Sequence, residues 1–160
     1  MSVMCGSFMV VLDATVVIIA LPKIMTTFGV SINKIQWIIT SYMLTMAIMM
    51  PSVGWLSQRI GNRGVFLVSL TIFTAASALC GTAWNETVLI LFRVLQGFGA
   101  GLMLPIAMTI IFEAFPIERR GMAMGIYGLG ATLGPVIGPT IGGYLTEKFS
   151  WNLIFLINIP

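Results

Sequence analysis

The chain has 160 residues, 58% of them hydrophobic and 8% charged, with a formal net charge of +3 and a mean hydropathy of +1.03. A soluble domain carries about 25% charged residues, so this composition excludes a water-exposed globule and makes lipid the solvent for most of the surface. The basic residues are scattered over short connections, which gives no patch for nucleic acid, and with no histidine the chain has no imidazole base or metal ligand.

Charged residues divide the chain into apolar segments of about 20 residues, the length that crosses a bilayer core. Five spans are expected, at about 4–22, 36–56, 64–83, 88–112 and 121–145. A sixth begins at Trp151 and meets the last residue, Pro160. Ten helical residues rise only about 15 Å against a hydrocarbon core of about 30 Å, so the reading expects a chain cut within its sixth helix. Span 1 is not a signal peptide, since no basic residue precedes its apolar run and an acid interrupts it. Cys5 and Cys80 are expected at opposite membrane faces, too far apart to bridge, and read as packing residues. With the N-terminus inside, inner loops carry Arg59, Arg63, Arg119 and Arg120, and outer loops carry Lys23, Lys34 and Lys148. That bias leans toward a cytoplasmic N-terminus.

Span 1 holds Asp13, the one aspartate of the chain, near its middle. Span 4 holds Arg93 in its first third. A charge at mid-bilayer costs at least about 2.5–3.5 kcal/mol, so neither side chain should face lipid. Burial favours the neutral acid and a nearby guanidinium favours the carboxylate. An acid held between those influences can take and release a proton as its surroundings change, whereas a static ion pair would only fix packing. Glu86, Glu113, Glu118 and Glu147 fall at or near span ends, where solvation suffices. One aspartate makes no aspartyl dyad, neither cysteine neighbours a base, and "GFGAG" (Gly97 to Gly101) follows no strand and precedes no lysine. The chain does not read as an enzyme, and no cofactor or metal is expected.

Span 5 carries "GATLGPVIGPTIGGYL", with Gly130, Gly134, Gly138 and Gly142 spaced by four and Pro135 and Pro139 between them. Interior glycine and proline cost a helix in water roughly 1 and 3 kcal/mol each. In lipid, small residues let helices approach closely, and neighbouring groups can satisfy the carbonyls that proline frees. Gly97 and Gly101 offer a shorter stripe on span 4. The endings "PSVGWL" of span 2 and "PTIGGYL" of span 5 echo one another. Either this is coincidence or spans 1–3 and 4–6 are repeats, whose endings would then lie on opposite membrane faces as inverted topology requires.

These residues, taken together, resemble the N-terminal half of a major facilitator superfamily transporter of the fourteen-helix drug:proton antiporter type (EmrB/QacA). "LDATVVIIALP" (Leu12 to Pro22) is similar to the span 1 signature of that family, with Ile18 at a position often polar. "GWLSQRIGNRGVF" resembles its inner-loop motif through Gly54, Leu56, Arg59, Gly61 and Arg63, with Gln58 where an aspartate is usual. "RVLQGFGAG" resembles the span 4 motif whose arginine is linked to proton transfer, which falls on Arg93, with Gln96 and Gly97 beside it. On span 5, Gly125, Gly134, Gly138, Pro139, Gly142 and Gly143 fill the antiporter motif.

The resemblance implies an all-α membrane bundle, the N-terminal six-helix bundle of the superfamily built as two inverted three-helix repeats with its sixth helix truncated, over residues 1–160. It implies proton coupling by Asp13, Arg93 and Gln96, expected in one polar pocket, an inner-loop gate, and a central cavity lined by spans 1 and 4 with 2 and 5. Trp37 and Tyr42 are candidates to line that cavity. The implied function is proton-coupled export of lipophilic, cationic, drug-like small molecules across the cytoplasmic membrane, with antibiotic resistance as the phenotype. A periplasmic adaptor protein is a further implied partner where the cell has two membranes. A carrier for a metabolite, lipid or siderophore is the alternative on the same fold, and a non-transporting scaffold or sensor the remote one.

Overall fold

The computed structural model describes residues 2–159, and they are helical with short connections. Helix α1 is Ser2–Phe28, α2 Ile32–Ile35, α3 Trp37–Met49, α4 Val53–Gly81, α5 Glu86–Ala114, α6 Arg120–Lys148 and α7 Leu153–Leu156. Single 3-10 turns, Met50–Ser52 and Ile117–Arg119, lead into α4 and α6.

Several boundaries differ from those read in the sequence, and each has a local cause. Pro22 lies inside α1, which runs on to Phe28 and stops at Gly29, a residue with φ of 64°. Proline removes one N–H and does not by itself end a helix that membrane packing supports. The second span, expected to end at about residue 56, passes Pro51 and runs on to Gly61. The chain makes a 3-10 turn there and re-enters α4 without reversing. The reversal comes at Gly61, with φ 73° and ψ 160° inside α4, where the second span ends and the third begins. That left-handed backbone is open to glycine at little steric cost. α5 starts under an Asn85 cap, whose side chain accepts from the Val88 N–H at 2.8 Å.

α1 packs along α6, and α5 packs along both α3 and α4. If the first three spans and the last three are inverted repeats, α1 exchanges with α5 and α3 with α6, so the α1–α6 and α5–α3 pairs map onto one another. Both are built on glycine. A Cβ at Gly134 would lie 2.7 Å from Val11 of α1, and one at Gly142 would lie 2.9 Å from Val16. A Cβ at Gly97 would lie 2.8 Å from the Tyr42 carbonyl of α3, and one at Gly101 would lie 2.5 Å from the Met46 carbonyl. Gly99, on another face of α5, meets the Phe73 N of α4 at 2.6 Å by the same construction. α5 is therefore the central post, with Arg93, Gln96 and Met103 buried along it. α6 is the least enclosed of the long helices.

Candidate functional site

Asp13 of α1 and Arg93 of α5 meet inside the bundle. Arg93 Nη1 donates to Asp13 Oδ2 at 2.5 Å, and each residue is 1% exposed. The same Nη1 lies 2.8 Å from Gln96 Oε1, and Gln96 Nε2 donates to Asp13 Oδ1 at 3.0 Å. Arg93 and Gln96 are three residues apart on α5 and so share a face, which lets the guanidinium and the amide take the two carboxylate oxygens separately. Arg93 Nε reaches the Ile38 carbonyl of α3 at 3.4 Å. Its guanidinium carbon stands 4.0 Å from the centre of the Tyr42 ring. Cys80 Sγ is 3.6 Å from Gln96 Oε1.

The two charges are brought together because neither has an alternative. Two unit charges in a lipid-facing bundle cost several kcal/mol each to desolvate, and close pairing with hydrogen bonds to the remaining groups offsets that. The pair is sealed. Both groups are expected from the sequence on a cavity wall, but in this conformation helix packing closes over them, so exchange with water requires the helices to part.

A further group was missed in the sequence. Asn158, which follows α7, donates from Nδ2 to Asp13 Oδ1 at 2.8 Å and to Ser77 Oγ at 2.9 Å. Ser77 in turn donates to the Phe155 carbonyl at 2.7 Å. The usable signal was a polar amide inside an apolar run, "FLINIP", where burial demands a partner.

The other candidates are distributed elsewhere. Tyr42 is 1% exposed and caps Arg93, touching a cavity of about 160 Å³ shared with Val10, Ala14 and Met46. Trp37, at the start of α3, is 54% exposed and far from burial. Ile18 lines a separate groove of about 250 Å³ with Leu21, Met25 and Ile35. The inner-loop residues Gly54, Leu56, Gln58, Arg59, Gly61 and Arg63 lie on α4 around its kink, and Arg59 stacks on Trp55 at 4.1 Å. Beside them, Asn62 Nδ2 donates to Glu113 Oε1 of α5 at 2.6 Å. Of the span 5 motif, Gly134, Gly138 and Gly142 are buried against α1, with Thr15 Oγ1 3.3 Å from the Gly134 carbonyl. Gly125 and Gly143 have open space where a Cβ would sit, and Pro139 is exposed. Cys5 and Cys80 are both free thiols, Cys5 exposed and Cys80 buried.

The chain belongs to the Major Facilitator Superfamily, whose family model matches residues 3–160. It is 41% identical to the uncharacterized MFS-type transporter YcnB of Bacillus subtilis, over 98% of this chain and 33% of that protein. It is 39% identical to the multidrug export protein EmrB of Haemophilus influenzae, over 97% of this chain and 30% of that one. The chain thus spans about a third of the length of these relatives. Among solved structures, a bacterial homologue of the human lysosomal transporter Spinster, inward-facing and occupied, superimposes with a TM-score of 0.83. That match has 24% identity and covers 98% of this chain and 39% of the other, so it speaks for the fold alone. The family is one of membrane transporters, not of enzymes.

Proposed function

We propose that the protein exports lipophilic, cationic small molecules across the cytoplasmic membrane in exchange for protons, with its N-terminus in the cytoplasm and Asp13 as the proton-carrying group. The observation that carries this reading is the buried Asp13–Arg93 pair with Gln96 on the other carboxylate oxygen. A carboxylate whose ionic partner is a neighbouring guanidinium changes its hold on a proton when that neighbour withdraws. In the cycle we infer, Asp13 takes a proton from the outside as substrate leaves, and gives it up to the cytoplasm when the next substrate binds. Arg93 sits beside the carboxylate in one state and draws away in the other. The α1–α6 seam is a surface on which helices can slide, since Gly134, Gly138 and Gly142 put no side chain of α6 against Val11, Thr15 and Val16 of α1. The multidrug name of the EmrB relative supports the substrate class. In a cell with two membranes, a periplasmic adaptor protein would carry the exported compound onward.

Reconstituting the full-length protein in liposomes tests this. Tetraphenylphosphonium or ethidium added on the cytoplasmic side should drive proton counterflow. A protein that moves a metabolite, lipid or siderophore and ignores a range of lipophilic cations would contradict the drug-export reading.

A further inference from the structure

The Asp13 carboxylate accepts three side-chain donors, and one of them comes from the far end of the described chain. Asn158 presents Nδ2 to both Asp13 Oδ1 and Ser77 Oγ, while its Oδ1 is buried with no hydrogen-bond partner. An amide turned the other way would set a carbonyl oxygen against a carboxylate. The observed orientation leaves an acceptor unmet, and it is the one that suits a charged Asp13. Ser77 donates to the Phe155 carbonyl, so its lone pairs, not its proton, face the amide.

We propose that Asn158 is a positioning residue that holds Asp13 in its charged form and ties the α7 segment to the state of that acid, an assignment that rests on Asp13 being the proton carrier. Around Asp13, the charged and titratable neighbours are Arg93 on α5, Tyr42 on α3 and Cys80 on α4. α6 meets this part of α1 through Gly134 and Gly138, which carry no such group. Arg93 and Gln96 are both on α5 and move with it. Asn158 is the donor on a different element, so it can keep or lose the carboxylate independently of α5. When Asp13 takes a proton, the amide loses its reason to face it, and the contact between the α7 segment and α1 weakens.

The test uses the full-length protein in liposomes, with tetraphenylphosphonium as the probe and proton counterflow measured across pH. Asn158→Leu removes the donor at similar volume. It should keep downhill movement of the probe and move the midpoint of the pH profile upward by roughly half to one pH unit. Ser77→Ala, which removes one anchor of the amide together with the bond to the Phe155 carbonyl, should move it the same way by less. If Asn158→Leu does not accumulate in the membrane, Ser77→Ala decides alone. In the Asp13→Asn background, neither change should alter the profile. Unchanged or lowered midpoints, with Asp13→Asn having lost uphill transport, would overturn the role of Asn158 and leave the proton-carrier reading standing. Uphill transport retained by Asp13→Asn would overturn both.

Discussion

The ring of Tyr42 lies under the Arg93 guanidinium, 4.0 Å from its central carbon, while the Tyr42 hydroxyl is buried with no hydrogen-bond partner. The ring and the hydroxyl therefore have opposite worth. A desolvated cation over an aromatic face is worth about 2 kcal/mol, and an unmet buried hydroxyl costs energy. Tyr42→Phe should leave thermal stability in detergent unchanged or slightly raised. Tyr42→Leu should lower it by about 2 kcal/mol, or several degrees in Tm. Equal effects of the two substitutions would show that the stacking contributes nothing.

Charge alone does not explain Arg93. Its Nη1 serves Asp13 and Gln96 together, and its Nε points at the Ile38 carbonyl. An ammonium is a compact point charge and cannot hold that fork while covering a ring. Arg93→Lys is therefore expected to fold but to lose at least about 10-fold in exchange rate, the equivalent of about 1.4 kcal/mol.

Breaking the pair from one side should cost more than removing it whole. Arg93→Gln leaves a buried carboxylate with amide donors only, and losing one partner of a buried pair costs about 3–5 kcal/mol. The double change Asp13→Asn with Arg93→Gln should recover most of that in chemical or thermal unfolding. A double variant as unstable as the sum of its singles would mean the two residues do not interact.

Glycine positions divide sharply. A methyl at Gly99 or Gly101 would enter the backbone of α4 or α3, at 2.6 Å from Phe73 N and 2.5 Å from Met46 O, and neither backbone can step aside cheaply. Gly99→Ala and Gly101→Ala should destabilise by about 1–3 kcal/mol or more. Gly61→Ala forces a Cβ onto a positive-φ backbone with ψ of 160°, which costs about 1–3 kcal/mol. Gly125→Ala meets nothing within 4 Å and should change stability by no more than about 0.5 kcal/mol. Melting curves of the four purified variants check the order.

Much of this architecture was legible in the residues. Apolar length and charge spacing marked the helices, and two intramembrane charges with no lipid-compatible fate had to find each other, as Asp13 and Arg93 do. Helix ends were less legible, because Pro22 reads as a stop when packing carries the helix through it. The turn at Gly61 depends on one backbone angle and has no hydrophobic signature. Asn158 was overlooked because it reaches Asp13 from 145 positions away, and sequence spacing says nothing of contacts made by folding. The glycine stripe on α5 was visible at Gly97 and Gly101, but its other face, at Gly99, appears only once α4 is in place.

The central claim is that Asp13 carries the proton, and one variant examines it most directly. Full-length wild-type and Asp13→Asn proteins in liposomes are given an imposed proton gradient, and accumulation of tetraphenylphosphonium against its own gradient is measured beside simple probe binding. Asparagine fills the same space and keeps an oxygen toward the Arg93 guanidinium, so the bundle should fold and bind the probe with affinity within about threefold. The account predicts that proton-driven accumulation disappears while downhill movement of the probe remains. Uphill accumulation at the wild-type level by Asp13→Asn would contradict it.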